Sequence, residues 1–261
     1  MSQSSYTQTV LPIIRRAREM LMPHYGKVLF RDKPGSTREV VTDVDVSVEQ
    51  FYMHELAKYF SDISFVGEES GGNREVERFW LVDPIDGTSH FIRGLPFCTS
   101  QIALIENGGV TFSAVYDFVG DILYHAEKGR GAFANERVMS VSNRTLDASR
   151  LSAVFKLQDA EAYGRYLKLR SHCHTFHVGA SGYELALVAS GKLDGAVYYG
   201  RAGSKDYDIA PGTFLIKEAG GVIANIGARE YDYRNIDFIA ANPIIFKELT
   251  EGPAAIFPIQ S

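Results

Sequence analysis

Leu11, Ile14, Ala17 and Leu21 recur at spacings of three and four, with Arg15, Arg16 and Glu19 between them. Apolar positions so spaced share one side of a 3.6-residue turn, and the pattern predicts an amphipathic helix. Val48, Tyr52, Leu56 and Tyr59 repeat the period, widened by Phe51 and Phe60, and predict a second helix following the acidic segment VTDVDVS. Pro34, Gly35 and Ser36 mark a loop between the two. The run FWLV reads as a buried strand that breaks at once into a turn, DPIDGT. After it, IALI, TFSAVY, DILYHA and RVMSVS are short β-rich stretches separated by Asn107-Gly108-Gly109, Gly120 and Gly129-Arg130-Gly131, the pattern of an antiparallel meander. GYELALVASG and GTFLIKEAGG then read as helices among short strands.

The class is therefore α/β, with an α+β N-terminal part over 1–145 and an α/β C-terminal part over 146–261. No Pro/Ser-rich linker separates them, so the two parts are expected to form one intimately packed unit.

At 261 residues the chain can bury a large core, and its 45% apolar and 23% charged content is that of a globular protein. A net charge of -5 and the lack of a basic run argue against nucleic acid as a partner. Cys98 and Cys173 form neither a disulfide framework nor a CxxC motif, which fits two reduced thiols in a cytoplasmic protein. The first residues lack the apolar core and cleavage site of a signal peptide, and no stretch is apolar enough to span a membrane.

Candidate chemistry concentrates in acidic segments. Asp83 and Asp86, three apart in DPIDGT, are constrained by Pro84 and released into a helix at Gly87 and Thr88, so both carboxylates can face one cavity. Gly87 lets the backbone approach an anion, and the first N–H groups of a helix starting there suit phosphate oxygens. The plain alternative is an Asp-rich turn with a helix cap. Glu68 and Glu69 follow the strand-like ISFV, and Asp206 and Asp208 open a further helix. Hard oxygen donors without His or Cys among them suit Mg²⁺.

Together GEES, DPIDGT and DYDIAPG resemble, in order and approximate spacing, the signature motifs of the inositol monophosphatase family over nearly the whole chain. VTDVD at 41–45, KGRGAF at 128–133 and Gly220-Gly221 resemble further family segments. The resemblance implies a layered αβαβα sandwich, a homodimer, and Mg²⁺-dependent hydrolysis of a small phosphate ester by metal-activated water. It implies that Glu68, Asp83 and the Ile85 carbonyl hold one Mg²⁺ and that Asp83, Asp86 and Asp208 hold a second. A third, weaker ion would share Glu68, with Glu69 the neighbouring alternative. Asp45 and Thr88, with Glu68, carry the catalytic assignment: Thr88, bonded to Asp45, would orient and help deprotonate the water, and it could equally cap its helix. Asp86, Gly87, Thr88, Asp208 and the turn of Gly179, Ala180 and Ser181 would meet substrate, although Ser181 could merely cap the helix it opens. Lys33 resembles a loop lysine that reaches the site in the family, and a solvated loop lysine is the other reading.

The chain departs from the inositol pattern before Asp208. GAVYYGRAGSK at 195–205 has no Glu and looks longer than the corresponding loop, and Tyr207 stands where the family carries Trp. Arg201 and Lys205 could instead meet a second phosphate or a carboxylate. Fructose-1,6-bisphosphatase, histidinol-phosphatase and 3′,5′-bisphosphate nucleotidase activities are therefore the alternatives to inositol phosphate, alongside a non-catalytic regulator that binds metal or phosphate. SHCHTFH lacks zinc-ligand spacing and alternates as a strand does, and Ser181 lacks the glycine pattern of a nucleophile elbow.

Overall fold

The computed structural model describes residues 6–32, 40–200, 205–228 and 230–259. Helix α1, Tyr6–Leu21, buries Val10, Ile13, Ile14, Ala17 and Leu21 along the face its periodicity marks. Helix α2, Asp43–Tyr59, starts inside the acidic segment and not after it. The reason is local. Thr42 Oγ1 accepts from the Val44 and Asp45 amides at 3.2 and 3.4 Å, and Asp45 Oδ2 accepts from Thr42 N at 2.8 Å, closing a capping box. The apolar stripe of α2 ends a turn earlier than its periodicity suggests, since Tyr59 is 63% exposed.

A seven-stranded sheet follows, in the order β3 (Ser64–Gly67), β4 (Arg78–Asp86), β5 (Thr99–Glu106), β6 (Gly109–Asp117), β7 (Ile122–Glu127), β8 (Ala132–Ala134) and β9 (Arg137–Val138). Only the β3–β4 pair is parallel; the rest is the expected meander. RVMSVS contributes just Arg137 and Val138 to the ladder, because the Val141 amide leaves it to bond Ala219 O at 3.1 Å. Two short strands, β1 (Arg31–Asp32) and β2 (Val40–Val41), pair ahead of α2. Helix α3, Thr88–Arg93, follows β4.

The second sheet has five strands, ordered β11 (His174–Phe176), β10 (Arg150–Phe155), β12 (Gly195–Tyr199), β14 (Phe238–Ala241) and β13 (Val222–Asn225). Helices α5 (Ser181–Ala189) and α6 (Asp206–Glu218) lie between the sheets; α4 (Ala160–Arg170) and α7 (Pro243–Thr250) cover the outer face of the second. With α1 and α2 on the outer face of the first, the layers are αβαβα. The central core mixes both sheets: Val115 and Tyr124 pack with Leu185, Ile209 and Leu215 and with Tyr198 and Phe238. The KGRGAF turn is tied to the end of α6, where Glu218 Oε2 accepts from Gly129 N and Gly131 N at 2.9 and 3.3 Å. Cys98 and Cys173 are buried and unbridged. Among the described residues no helix is long and apolar enough to cross a membrane.

Candidate active site

The site grows from the end of β4. Side chains of a strand alternate between faces, and Phe79 and Leu81 pack toward Ala210 of α6, while Trp80 and Val82 pack toward α1 and α2. Asp83 is next on the α6 side. An uninterrupted strand would put Asp86, three residues on, on the opposite face. It does not, because the register slips: Asp83 opposes Gln101 and Asp86 opposes Thr99, so three steps on β4 match two on β5. The extra residue is a β-bulge that returns Asp86 to the side of Asp83. DPID is thus the end of the strand and not the turn its Pro84 suggested; the chain turns only at Gly87, whose φ of 82° is left-handed.

Across the ladder, the cross-strand partners bond the carboxylates they face: Gln101 Nε2 donates to Asp83 Oδ2 at 3.4 Å and Thr99 Oγ1 to Asp86 Oδ2 at 3.2 Å. The α5 N-terminus supplies two more donors to Asp86, Ser181 N at 3.2 Å and Gly182 N at 2.7 Å. Gly179, Ala180 and Ser181 therefore do come to the site. Ala180, however, is the N-cap and Ser181 the first helical residue, with no side-chain cap, and the Ser181 amide is directed to Asp86. Asp208 sits in the first turn of α6, where its Oδ2 accepts from Lys205 N at 2.6 Å. One oxygen from each of Asp83, Asp86 and Asp208 lies within 4.8 Å of the others.

Glu68 follows β3, which runs parallel to β4, and its amide donates to Val82 O at 3.0 Å. The GEES turn is held from below by Glu49, one helical turn beyond Asp45, which accepts from Glu69 N and Ser70 N at 2.8 Å each. Thr88 Oγ1 lies 3.2 Å from Asp45 Oδ1 and 2.9 Å from Ile85 O. Lys33 and Arg201 fall outside the described residues; Lys205 is exposed at the start of α6 and Tyr207 is half-buried beside it.

Burial sets the electrostatics. It pushes the Asp83 carboxyl well above the carboxylate range, with Glu68, Asp86 and Asp208 adding to the rise. Asp208 is likewise raised well above its ordinary value by burial and by Asp86. Asp86 is pushed up to about 7 by burial despite the amides of Gly182 and Ser181 and the Thr99 hydroxyl, and Asp45 to about 6 despite its bonds to Thr42. Like charges at such separations repel by about 3 to 4 kcal/mol per pair at an effective dielectric near 20. Asp83 Oδ1 is moreover buried with no protein hydrogen-bond partner. Clustered oxygens, mutual repulsion and an orphaned acceptor are what a hard divalent cation relieves, so the donor set fits Mg²⁺.

Gln101, Thr99, Glu49 and Gly182 are absent from the sequence-based assignment. Three had a readable signal. Thr99-Ser100-Gln101 is a polar triplet opening an otherwise apolar strand, and Glu49 stands four residues after Asp45 on the same helical face. The role of Gly182 depends on close approach: a Cβ there would stand 2.5 Å from the Gln101 amide carbon.

The chain matches the model of the inositol monophosphatase family over residues 2–258. It is 28% identical over 242 residues to a fructose-1,6-bisphosphatase/inositol-1-monophosphatase of Thermotoga maritima, covering 92% of this chain and 93% of that one. To a Nus factor SuhB of Xylella fastidiosa it is 33% identical over 220 residues, covering 81% and 78%. A solved Thermotoga maritima IMPase superposes with a TM-score of 0.84 at 27% identity, covering 94% of this chain and 95% of that one. On motifs, fold and these likenesses together, the chain belongs to the inositol monophosphatase family.

Proposed function

We propose that the protein is a Mg²⁺-dependent phosphatase that hydrolyses a small soluble phosphomonoester, with inositol phosphate the leading substrate. The observation that carries this reading is the convergence of Asp83, Asp86 and Asp208 around a buried acceptor with no partner. Glu68, Asp83 and the Ile85 carbonyl would hold one ion and Asp83, Asp86 and Asp208 a second, with Glu68 shared by a third. Bound there, Mg²⁺ neutralises phosphoryl charge and lowers the pKa of a coordinated water.

The chain's own residues do the rest. Thr88 has one hydroxyl proton and two acceptors, Asp45 Oδ1 and Ile85 O, so its oxygen stays open to a proton from water while Asp45 takes the hydroxyl proton in turn. Asp45, pushed up to about 6, can accept that proton near neutral pH. Gly87 and Thr88 offer backbone N–H groups to the phosphate at the turn after β4. Gly179, Ala180 and Ser181, with Asp86 and Asp208, would meet the alcohol, Lys33 would reach the site, and Arg201 and Lys205 would meet a second phosphate or a carboxylate. A cytoplasmic homodimer is part of the same proposal.

The test is phosphate release from inositol 1-phosphate, fructose 1,6-bisphosphate, histidinol phosphate and a 3′,5′-bisphosphonucleoside, each with Mg²⁺ and with EDTA. We expect metal-dependent release from at least one, fastest for inositol 1-phosphate. No metal-dependent release from any of them would defeat the enzyme reading in favour of a binding role.

A further inference from the structure

Glu184 is fully buried on α5, among the inward-facing Leu185, Ala186 and Val188. A carboxyl group in such surroundings persists only where donors converge on it. Four do. Oε1 accepts from Val178 N at 2.6 Å and Gly179 N at 3.1 Å, and it lies 3.1 Å from His177 Nδ1. The Ser152 hydroxyl of β10 bonds Oε2.

Three of those donors belong to one stretch, the loop that enters α5. Glu184 reaches back from the first turn of the helix and clamps the chain just ahead of it. The clamped loop turns at Gly179, with φ at 81°, and Val178 O receives His90 Nε2 of α3 at 2.6 Å. Downstream of that turn the Ser181 and Gly182 amides meet Asp86. Any shift of residues 177–179 would swing both amides away from Asp86.

We propose that Glu184 is a positioning residue: through the Val178–Gly179 turn it fixes the two α5 amides that orient Asp86, and so sets the affinity of the carboxylate cluster for a divalent cation. The inference rests on the metal-dependent reading above and adds a residue that touches neither ion nor substrate. Glutamine is the informative replacement. It keeps the shape but presents one acceptor oxygen and an N–H₂ to a site filled with donors.

The experiment measures free Mn²⁺ by electron paramagnetic resonance during titration of the full chain as wild type, Glu184→Gln, Asp86→Ala and the double variant. Loss of a group that orients a metal ligand typically weakens binding by about 10- to 100-fold, and that is the change expected for Glu184→Gln. In the Asp86→Ala background the same change should cost less than about twofold, because a residue acting through Asp86 has nothing left to orient. Full additivity would reduce Glu184 to a structural role and overturn the proposal, as would a folded Glu184→Gln protein that binds as wild type does. A wild type that binds no Mn²⁺ would instead overturn the metal site itself. Should circular dichroism find Glu184→Gln unfolded, His177→Ala decides, since that side chain is 48% exposed and its loss removes one donor. Binding weaker by about 2- to 10-fold, the worth of one hydrogen bond, supports the clamp, and unchanged binding refutes it.

Discussion

At the scale of single residues, the site depends on atoms with nowhere else to go. Asp45 spends Oδ2 on the Thr42 amide and hydroxyl and turns Oδ1 to Thr88, so its position is determined before any substrate arrives. Asp45→Asn keeps the size and removes the proton acceptor. The expected result is a fall in kcat of about 10²- to 10⁴-fold with little change in the Mg²⁺ concentration for half-maximal rate. A kcat within twofold of wild type would remove Asp45 from the mechanism. Gly67 makes a different kind of demand. A Cβ there would stand 2.2 Å from the Glu49 carboxyl carbon, and Glu49 cannot swing aside without releasing the Glu69 and Ser70 amides. Gly67→Ala should therefore cost about 1 to 3 kcal/mol in urea unfolding and raise the Mg²⁺ requirement; a variant as stable as wild type would show that the turn tolerates the change.

At the scale of elements, each acidic residue is delivered by the end of a strand or the start of a helix. Asp83 and Asp86 close β4, Glu68 follows β3, and Asp45 and Asp208 sit in the first turns of α2 and α6. Carboxylates at helix N-termini also face the positive end of the dipole, which favours their charge locally. Pairing between elements then holds the pieces in register. The meander is fastened to α6 where Glu218 takes the Gly129 and Gly131 amides, both glycines being at positive φ. Glu218→Ala should lower stability by about 1 to 2 kcal/mol in urea melts, because two backbone donors lose a charged acceptor at a partly exposed site. A midpoint unchanged from wild type would show that water replaces Glu218 without cost.

At the scale of the molecule, the site is a store of unfavourable charge in the absence of metal. Burial pushes Asp45 up to about 6 and Asp86 up to about 7 from an ordinary 3.8, and it holds Asp83 and Asp208 well above that ordinary value too. Between those limits the folded state binds more protons than the unfolded one, so stability falls as pH rises through the window from about 4 to 7. In EDTA the Tm should thus be higher at pH 5 than at pH 8. Saturating Mg²⁺ should raise the Tm at pH 8 and have little effect at pH 5, where protons already occupy the carboxylates. A Tm in EDTA that is flat or rises from pH 5 to pH 8 would contradict the charge balance derived for the cluster.

Much of this was legible along the chain. The stripes of α1 and α2, the glycine-punctuated meander, the helices after Gly182 and Asp206, and the segments that hold Glu68, Asp83, Asp86 and Asp208 follow from local periodicity and composition, which one stretch of chain carries by itself. Hydrophobic spacing misplaces the N-terminus of α2, because Thr42 and Asp45 cap each other through side-chain geometry that it does not report. Pro84, a local signal, makes the end of β4 look like a turn, whereas the bulge is a property of the register between β4 and β5. Thr99 and Gln101 face carboxylates only because of that register, and Glu49 and Glu184 serve turns that folding brings to them. The sequence by itself determined the inventory of elements and acids. Only the tertiary structure decided which acids share a face and which donors restrain them, since hydrogen bonding and charge repulsion act over a few ångströms between residues as distant in the chain as Glu68 and Asp208.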